Sequence, residues 1–421
     1  MPPQTKYIVG NEACERFSYY GVISILTGYA AMLYGGGDLA KAHAKETVHW
    51  FKMACYFMPL LGAWIADRFW GRYHTILWLS LAYCVGHAVL ALGDGQLWGL
   101  FTGLAFIAIG SGGIKPCVSA FAGDQFSGGR EHLVGRIYNW FYWSINFGSF
   151  FAFLYIPRIA QKNYSWAFAL PGIAMGLATF IFWLGRKSYI RVPPESSAPT
   201  PDKETLVADR RTLWGIVGVF AMVPFFWSIF DQQNTTWVQQ GEKMTSFTIA
   251  GTVFDGETMQ SVNAILVLLF VPLFALVLYP GLQRLGIKVT SLRKMSCGFF
   301  LAALSFVAAA WVQRKLDAHE SLSVGWQFWQ YSLLTAGEVL VSTTGLAFAF
   351  TQAPPRLKST IMSFWTLTVA VGNGFAALVT DLNARLVHAS PLQELYFYTG
   401  VVALAGVAFI FITRNFVTRG E

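Results

Sequence analysis

The chain has 421 residues, of which 55% are hydrophobic, 16% aromatic and only 12% charged, with a mean hydropathy of +0.47. Soluble domains carry about a quarter charged residues, so this composition excludes a soluble globular protein and points to a chain embedded in a bilayer almost throughout. A net charge of +8 is explained by basic loops on one side of that bilayer, and no nucleic-acid partner is expected.

Apolar runs predict twelve spans, at 8–34, 46–66, 73–93, 97–120, 134–157, 165–185, 212–237, 258–280, 291–313, 325–351, 359–387 and 392–413. Most Lys and Arg then fall on the side that holds both ends of the chain, which makes both termini cytoplasmic. No cleavable signal peptide is expected, because the first apolar segment carries Glu12, Glu15 and Arg16 and lacks a small-residue cleavage site. The five cysteines fall inside predicted spans at spacings that suit neither zinc nor a disulfide framework, so they read as small core residues.

The first span opens with NEACERFSYYG, Asn11–Gly21. Spacings of three and four put Glu12, Glu15 and Arg16 on one helical face, with Tyr19 and Tyr20 a turn later. Each charge at membrane depth costs roughly 2.5–3.5 kcal/mol on insertion scales, so this face calls for buried partners or a wet cavity. In the second span, His49, Lys52 and Tyr56 share a face. Its end, GAWIADRFWGR (Gly62–Arg72), resembles a loop motif of major facilitators, with Asp67, Arg68 and Arg72 latching a neighbouring helix end.

The fourth span, GSGGIKPCVSAFAGDQF (Gly110–Phe126), combines glycines that admit a neighbouring backbone with Pro116 and an intramembrane Lys115. Lys115 calls for a carboxylate, and the first span offers two. FYWSINFGS (Phe141–Ser149) places Asn146 beside the small Gly148 and Ser149. Residues 186–211 are charged and rich in proline, and they predict an irregular cytoplasmic linker between a bundle at 1–185 and a second at 212–421. Six spans on either side of a linker is the plan of the major facilitator fold.

The second half holds fewer intramembrane charges. Asp231 follows Trp227 by one turn in FFWSIFDQQ (Phe225–Gln233), Asn263 lies early in the eighth span, and Glu338 sits within TAGEVLVSTTGL (Thr335–Leu346). Trp365 precedes VAVGNG (Val369–Gly374), whose glycines permit bending.

Together these stretches resemble the proton-coupled oligopeptide transporter family. NEACERFSYYG resembles its first-helix ExxER motif, GGIKPCVSAFAGDQF its fourth-helix motif and FYWSINFGS its fifth-helix signature. VHWFKMACYF (Val48–Phe57) and FDQQNTTWVQQ (Phe230–Gln240) are closest to the animal branch. YPGLQRLGIKVTSLRKM (Tyr279–Met295) and GEVLVSTTGLAFAFTQAP (Gly337–Pro354) extend the likeness over almost the whole chain.

The resemblance implies an all-α membrane protein of the major facilitator fold that imports di- and tripeptides, and peptide-like drugs, with protons as the coupling ion and no other cofactor. It assigns the peptide carboxylate to Arg16 and its ammonium to Glu338. Asn146 and Asn263 would bond the peptide backbone, with Tyr20, Tyr56, Trp227 and Trp365 lining side-chain pockets. Glu12, Glu15 and Lys115 would form a proton-coupled ion-pair network, with His49 and Asp231 as further titrating groups. A monomer in the cell membrane is expected. Two departures stand out: the linker is too short for an extra helix pair, and the loop near 314–324 is too short for a large extracellular domain. Nitrate or another small anion is an alternative cargo, but a carboxylate at Glu338 favours a zwitterion. No GxSxG or HExxH motif suggests an enzyme.

Overall fold

The computed structural model describes residues 1–126, 134–191, 203–249, 251–352 and 358–414. Its contacts divide the chain into two compact units, Met1–Pro199 and Thr200–Glu421. The middle of the expected linker, residues 192–202, lies outside the described residues, and α7 begins within it at Lys203.

The first unit contains α1 (Thr5–Leu33), α2 (Gly37–Ile65), α3 (Gly71–Leu92), α4 (Leu97–Asp124), α5 (Val134–Ala160) and α6 (Tyr164–Leu184). Helix α1 packs on α5 and α6, while α4 packs on α2 and α3. The α2–α4 approach is possible because glycines meet: a Cβ on Gly62 would lie 2.2 Å from the Gly112 carbonyl oxygen. Arg72 at the start of α3 bonds both carboxylate oxygens of Asp124 at the end of α4, each at 2.7 Å. The latch expected of Arg72 is thus a two-oxygen ion pair between helix ends. The helices run further out than the apolar pattern alone suggests, and α2 starts at Gly37 rather than near 46. Its extra turns carry Asp38, Lys41 and Lys45, which hydropathy discounts but helix formation tolerates.

The second unit is less regular. Its seventh span divides into α7 (Lys203–Phe220), α8 (Val223–Phe230), a 3-10 turn at Asp231–Asn234 and α9 (Thr236–Gly241). Pro224 in the first turn of α8 suits a helix start, because its missing N–H would be unpaired there anyway. A hairpin, β1 (Phe247–Ile249) and β2 (Thr252–Phe254), follows and is the one addition to the all-helical expectation among the described residues. Beyond it run α10 (Gln260–Leu273), α11 (Tyr279–Arg284), α12 (Ser291–Asp317), α13 (Gln327–Glu338), α14 (Thr344–Gln352), α15 (Lys358–Leu382) and α16 (Pro391–Thr413). Wider π-helical turns occupy Phe274–Leu278, Val339–Thr343 and Asn383–Val387. Helix α12 packs on α13 and α16, and α8 on α15.

Seven helical stretches among the described residues are long and apolar enough to cross a membrane. Large apolar side chains also face outward: Leu276 and Leu404 are 75% and 71% exposed. Such a surface suits lipid and not water. Cys55 and Cys117 are buried and Cys14 and Cys84 half-buried, in keeping with a core role. Cys297 corrects that reading, since it faces outward from α12.

Candidate functional site

In the first unit the Arg16 charge is met within α1 itself. The Arg16 Nε donates to Glu12 Oε1 at 2.7 Å and lies 3.2 Å from Glu15 Oε2. Four-residue spacing makes the first pair possible, and burial makes it necessary, because Glu12 and Glu15 are almost wholly inaccessible. Two carboxylates around one guanidinium leave a surplus negative charge. Neither oxygen of Glu15 has a properly aligned hydrogen-bond donor among the described residues.

Lys115 of α4 is not salt-bridged to either glutamate among the described residues. Its ammonium is buried without a hydrogen-bond partner among the described residues, 3.8 Å from the ring centre of Tyr19 and 4.1 Å from that of Tyr56. It remains within electrostatic reach of Glu15. The structure therefore brings Glu12, Glu15 and Arg16 into one cluster and sets Lys115 beside it on aromatic faces. Tyr20 turns toward α5, with its ring 5.4 Å from Phe153. Asn146 is buried on α5, and His49 is fully buried on α2. Gly148 lets α5 lie against α1: a Cβ there would stand 2.5 Å from the Ala13 carbonyl oxygen and 3.1 Å from Arg16 Cβ.

A buried polar contact in this unit has no forerunner in the sequence pattern. His87 of α3 shares a 2.7 Å hydrogen bond with Ser18, two residues after Arg16, and stacks on Tyr83. The only signal was a lone histidine in an apolar helix, and nothing in the local pattern pointed to its partner 69 residues away.

In the second unit, Asn263 of α10 donates to Glu338 Oε2 at 2.8 Å and to Thr335 Oγ1 at 2.9 Å. Both amide hydrogens are thereby committed, so its carbonyl oxygen is what it offers a ligand. Glu338 closes α13 where the wider Val339–Thr343 turn begins. It has no cationic partner among the described residues. Asp231, at the break after α8, accepts from Asn373 Nδ2 of α15 at 2.5 Å. Trp227 and Trp365 meet edge to face, with ring centres 6.1 Å apart. The Trp227 indole N–H is buried without an acceptor among the described residues, and Gly345 leaves room for the Trp365 ring.

Helices with charges held deep within two bundles define a multi-pass membrane protein of the major facilitator fold. The sequence matches the POT family over residues 73–207 and 199–393. It is 34% identical to mouse solute carrier family 15 member 2 over 87% of this chain and 56% of that protein. Human solute carrier family 15 member 1 is likewise 34% identical, over 74% of this chain and 52% of that protein. The chain therefore spans little more than half the length of these mammalian relatives. A crystal structure of an auto-inhibited POT family peptide transporter is 36% identical, with a TM-score of 0.91 and coverage of 100% and 99% of the two chains. An in meso crystal structure of the POT family transporter PepTSo is 38% identical with a TM-score of 0.90, covering 98% of each chain. The chain belongs to the POT family, whose members are transporters and not enzymes.

Proposed function

We propose that the chain is a proton-coupled symporter that imports di- and tripeptides across the cell membrane by alternating access, with both termini in the cytoplasm. The observation that carries this reading is the state of Glu338, a carboxylate served by the Asn263 amide and by no cation among the described residues. Such a group is suited to receive an ammonium. Arg16, shared between two carboxylates, suits a third that competes for it. A zwitterion is costly to dehydrate, and fixed groups of opposite charge replace its lost hydration. Trp227, Trp365, Tyr20 and Tyr56 would take side chains, and Asn146 and Asn263 the peptide backbone. Glu12, Glu15, Lys115, His49 and Asp231 would carry the coupling.

Protons are the coupling ion, and no further cofactor is required. Each proton moving inward supplies roughly 2.3 kcal/mol per 100 mV. The unit works as a monomer in lipid and also accepts peptide-like drugs. The test is uptake of a labelled dipeptide into liposomes holding the purified protein. An inward proton gradient should drive accumulation above equilibrium. Accumulation of nitrate without any of dipeptide would replace this reading with the anion alternative.

A further inference from the structure

The Lys115 ammonium rests against two tyrosine rings, and the first of them is held by its own packing. Tyr19 is 1% exposed, stacked on Phe51 with ring centres 6.3 Å apart and met edge-on by Tyr20 at 5.2 Å. Tyr56 approaches from α2. Three helices, α1, α2 and α4, thus converge on one nitrogen. An ammonium stripped of water is stabilised by the negative faces of aromatic rings, and more strongly as the site becomes drier. The charged or titratable groups around it are Glu15 and Arg16 on α1 and Lys52 and Cys55 on α2. Lys52 and Arg16 repel it, and Glu15 is drawn to Arg16 at 3.2 Å. The rings therefore supply attraction where no carboxylate is bonded.

We propose that Tyr19 and Tyr56 are positioning residues that form an aromatic cradle, holding the Lys115 ammonium in place while Glu15 is engaged by Arg16. The proposal rests on the coupling role given to Lys115 above. In the resting arrangement the cradle keeps a cation one short movement from Glu15. Displacement of Glu15 from Arg16 by a substrate carboxylate leaves Glu15 open to Lys115. Without the cradle, the ammonium has no defined place from which to answer that change.

The test grades the ring's charge distribution at fixed size. Phenylalanine and its mono-, di- and trifluorinated forms are incorporated at position 19 by nonsense suppression in the full chain. Proton-driven accumulation of dipeptide should fall stepwise with each fluorine, by about tenfold over the series, as expected for a desolvated cation–ring contact. The pH profile of uptake should shift along with it. In a Lys115→Ala background, peptide counterflow should persist and be indifferent to fluorination. A flat series, in a protein that loses accumulation on Lys115→Ala, would overturn the cradle alone and leave Tyr19 as packing. Full accumulation by Lys115→Ala would remove the coupling role of Lys115, and the cradle with it.

Discussion

Asn263 and Glu338 are joined across α10 and α13 by a 2.8 Å hydrogen bond, and the same amide holds Thr335 at 2.9 Å. The carboxylate is thus fixed in direction before any ligand arrives. Removing the amide leaves a buried acceptor unsatisfied, at a cost of about 1–3 kcal/mol. Asn263→Ala should lower the melting temperature and weaken dipeptide binding about tenfold by titration calorimetry. Acetylating the amine of the dipeptide should abolish that sensitivity, because the ligand no longer presents an ammonium to Glu338. Equal loss for free and acetylated dipeptide would make Asn263 a strut and Glu338 no end-clamp.

Gly148 is where α5 touches α1 beside Arg16. Gly148→Ala puts a methyl 2.5 Å from the Ala13 carbonyl oxygen, so the helices must part. Overpacking of this kind costs roughly 1–3 kcal/mol, and uptake should fall with it. Gly176→Ala in α6 is the control, since nothing lies within 4 Å of its added methyl. It should be neutral or slightly stabilising in the same thermal melt.

His49 is wholly buried on α2. A histidine titrates near 6.5 when unperturbed, within the range a proton-driven carrier meets. If His49 belongs to the proton path, His49→Gln should bind dipeptide normally but lose accumulation or shift its pH dependence. Unchanged accumulation and pH profile would leave the proton to Asp231 and the glutamates of α1.

Outside the spans, burial together with Asp255 and Glu242 pushes the Glu257 carboxyl up to about 8. A folded-state pKa raised above the unfolded one means that the folded protein holds the proton more tightly. The stability this contributes is complete below the ordinary carboxylate range and is lost as pH rises toward about 8. Melting temperature should therefore decline across this window in the wild type and decline less in Glu257→Gln. Parallel curves would show that Glu257 is already ionised in the folded protein.

The charged face of α1 was legible because its three members lie within one and a half turns, where helical spacing alone brings them together. Asp231 and Glu338 were conspicuous for the same reason that any carboxylate in an apolar run is. Their partners were not. Asn373 lies 142 residues from Asp231 and Asn263 lies 75 from Glu338, and only tertiary packing joins them. Lys115 shows a different gap. A buried cation suggested an ion pair, whereas the packing of three helices delivered rings to it. The break before α8 falls inside a span read as continuous at 212–237, although Pro224 stands beside it, and the hairpin after α9 left no signal, because strands of three residues are too short for alternation to register.

The π-helical turn after Glu338 gives the tenth span a tolerance for change in length that an unbroken α-helix lacks. Such a turn holds one residue more than an α turn, and single turns of this kind occur frequently at functional sites. Deleting one residue within Val339–Thr343 would restore α geometry and leave the faces of α13 and α14 where they now stand. The same deletion three turns earlier would rotate every following side chain by about 100°. Length variation among descendants of this sequence should therefore gather at Val339–Thr343 and spare the helix that leads to Glu338.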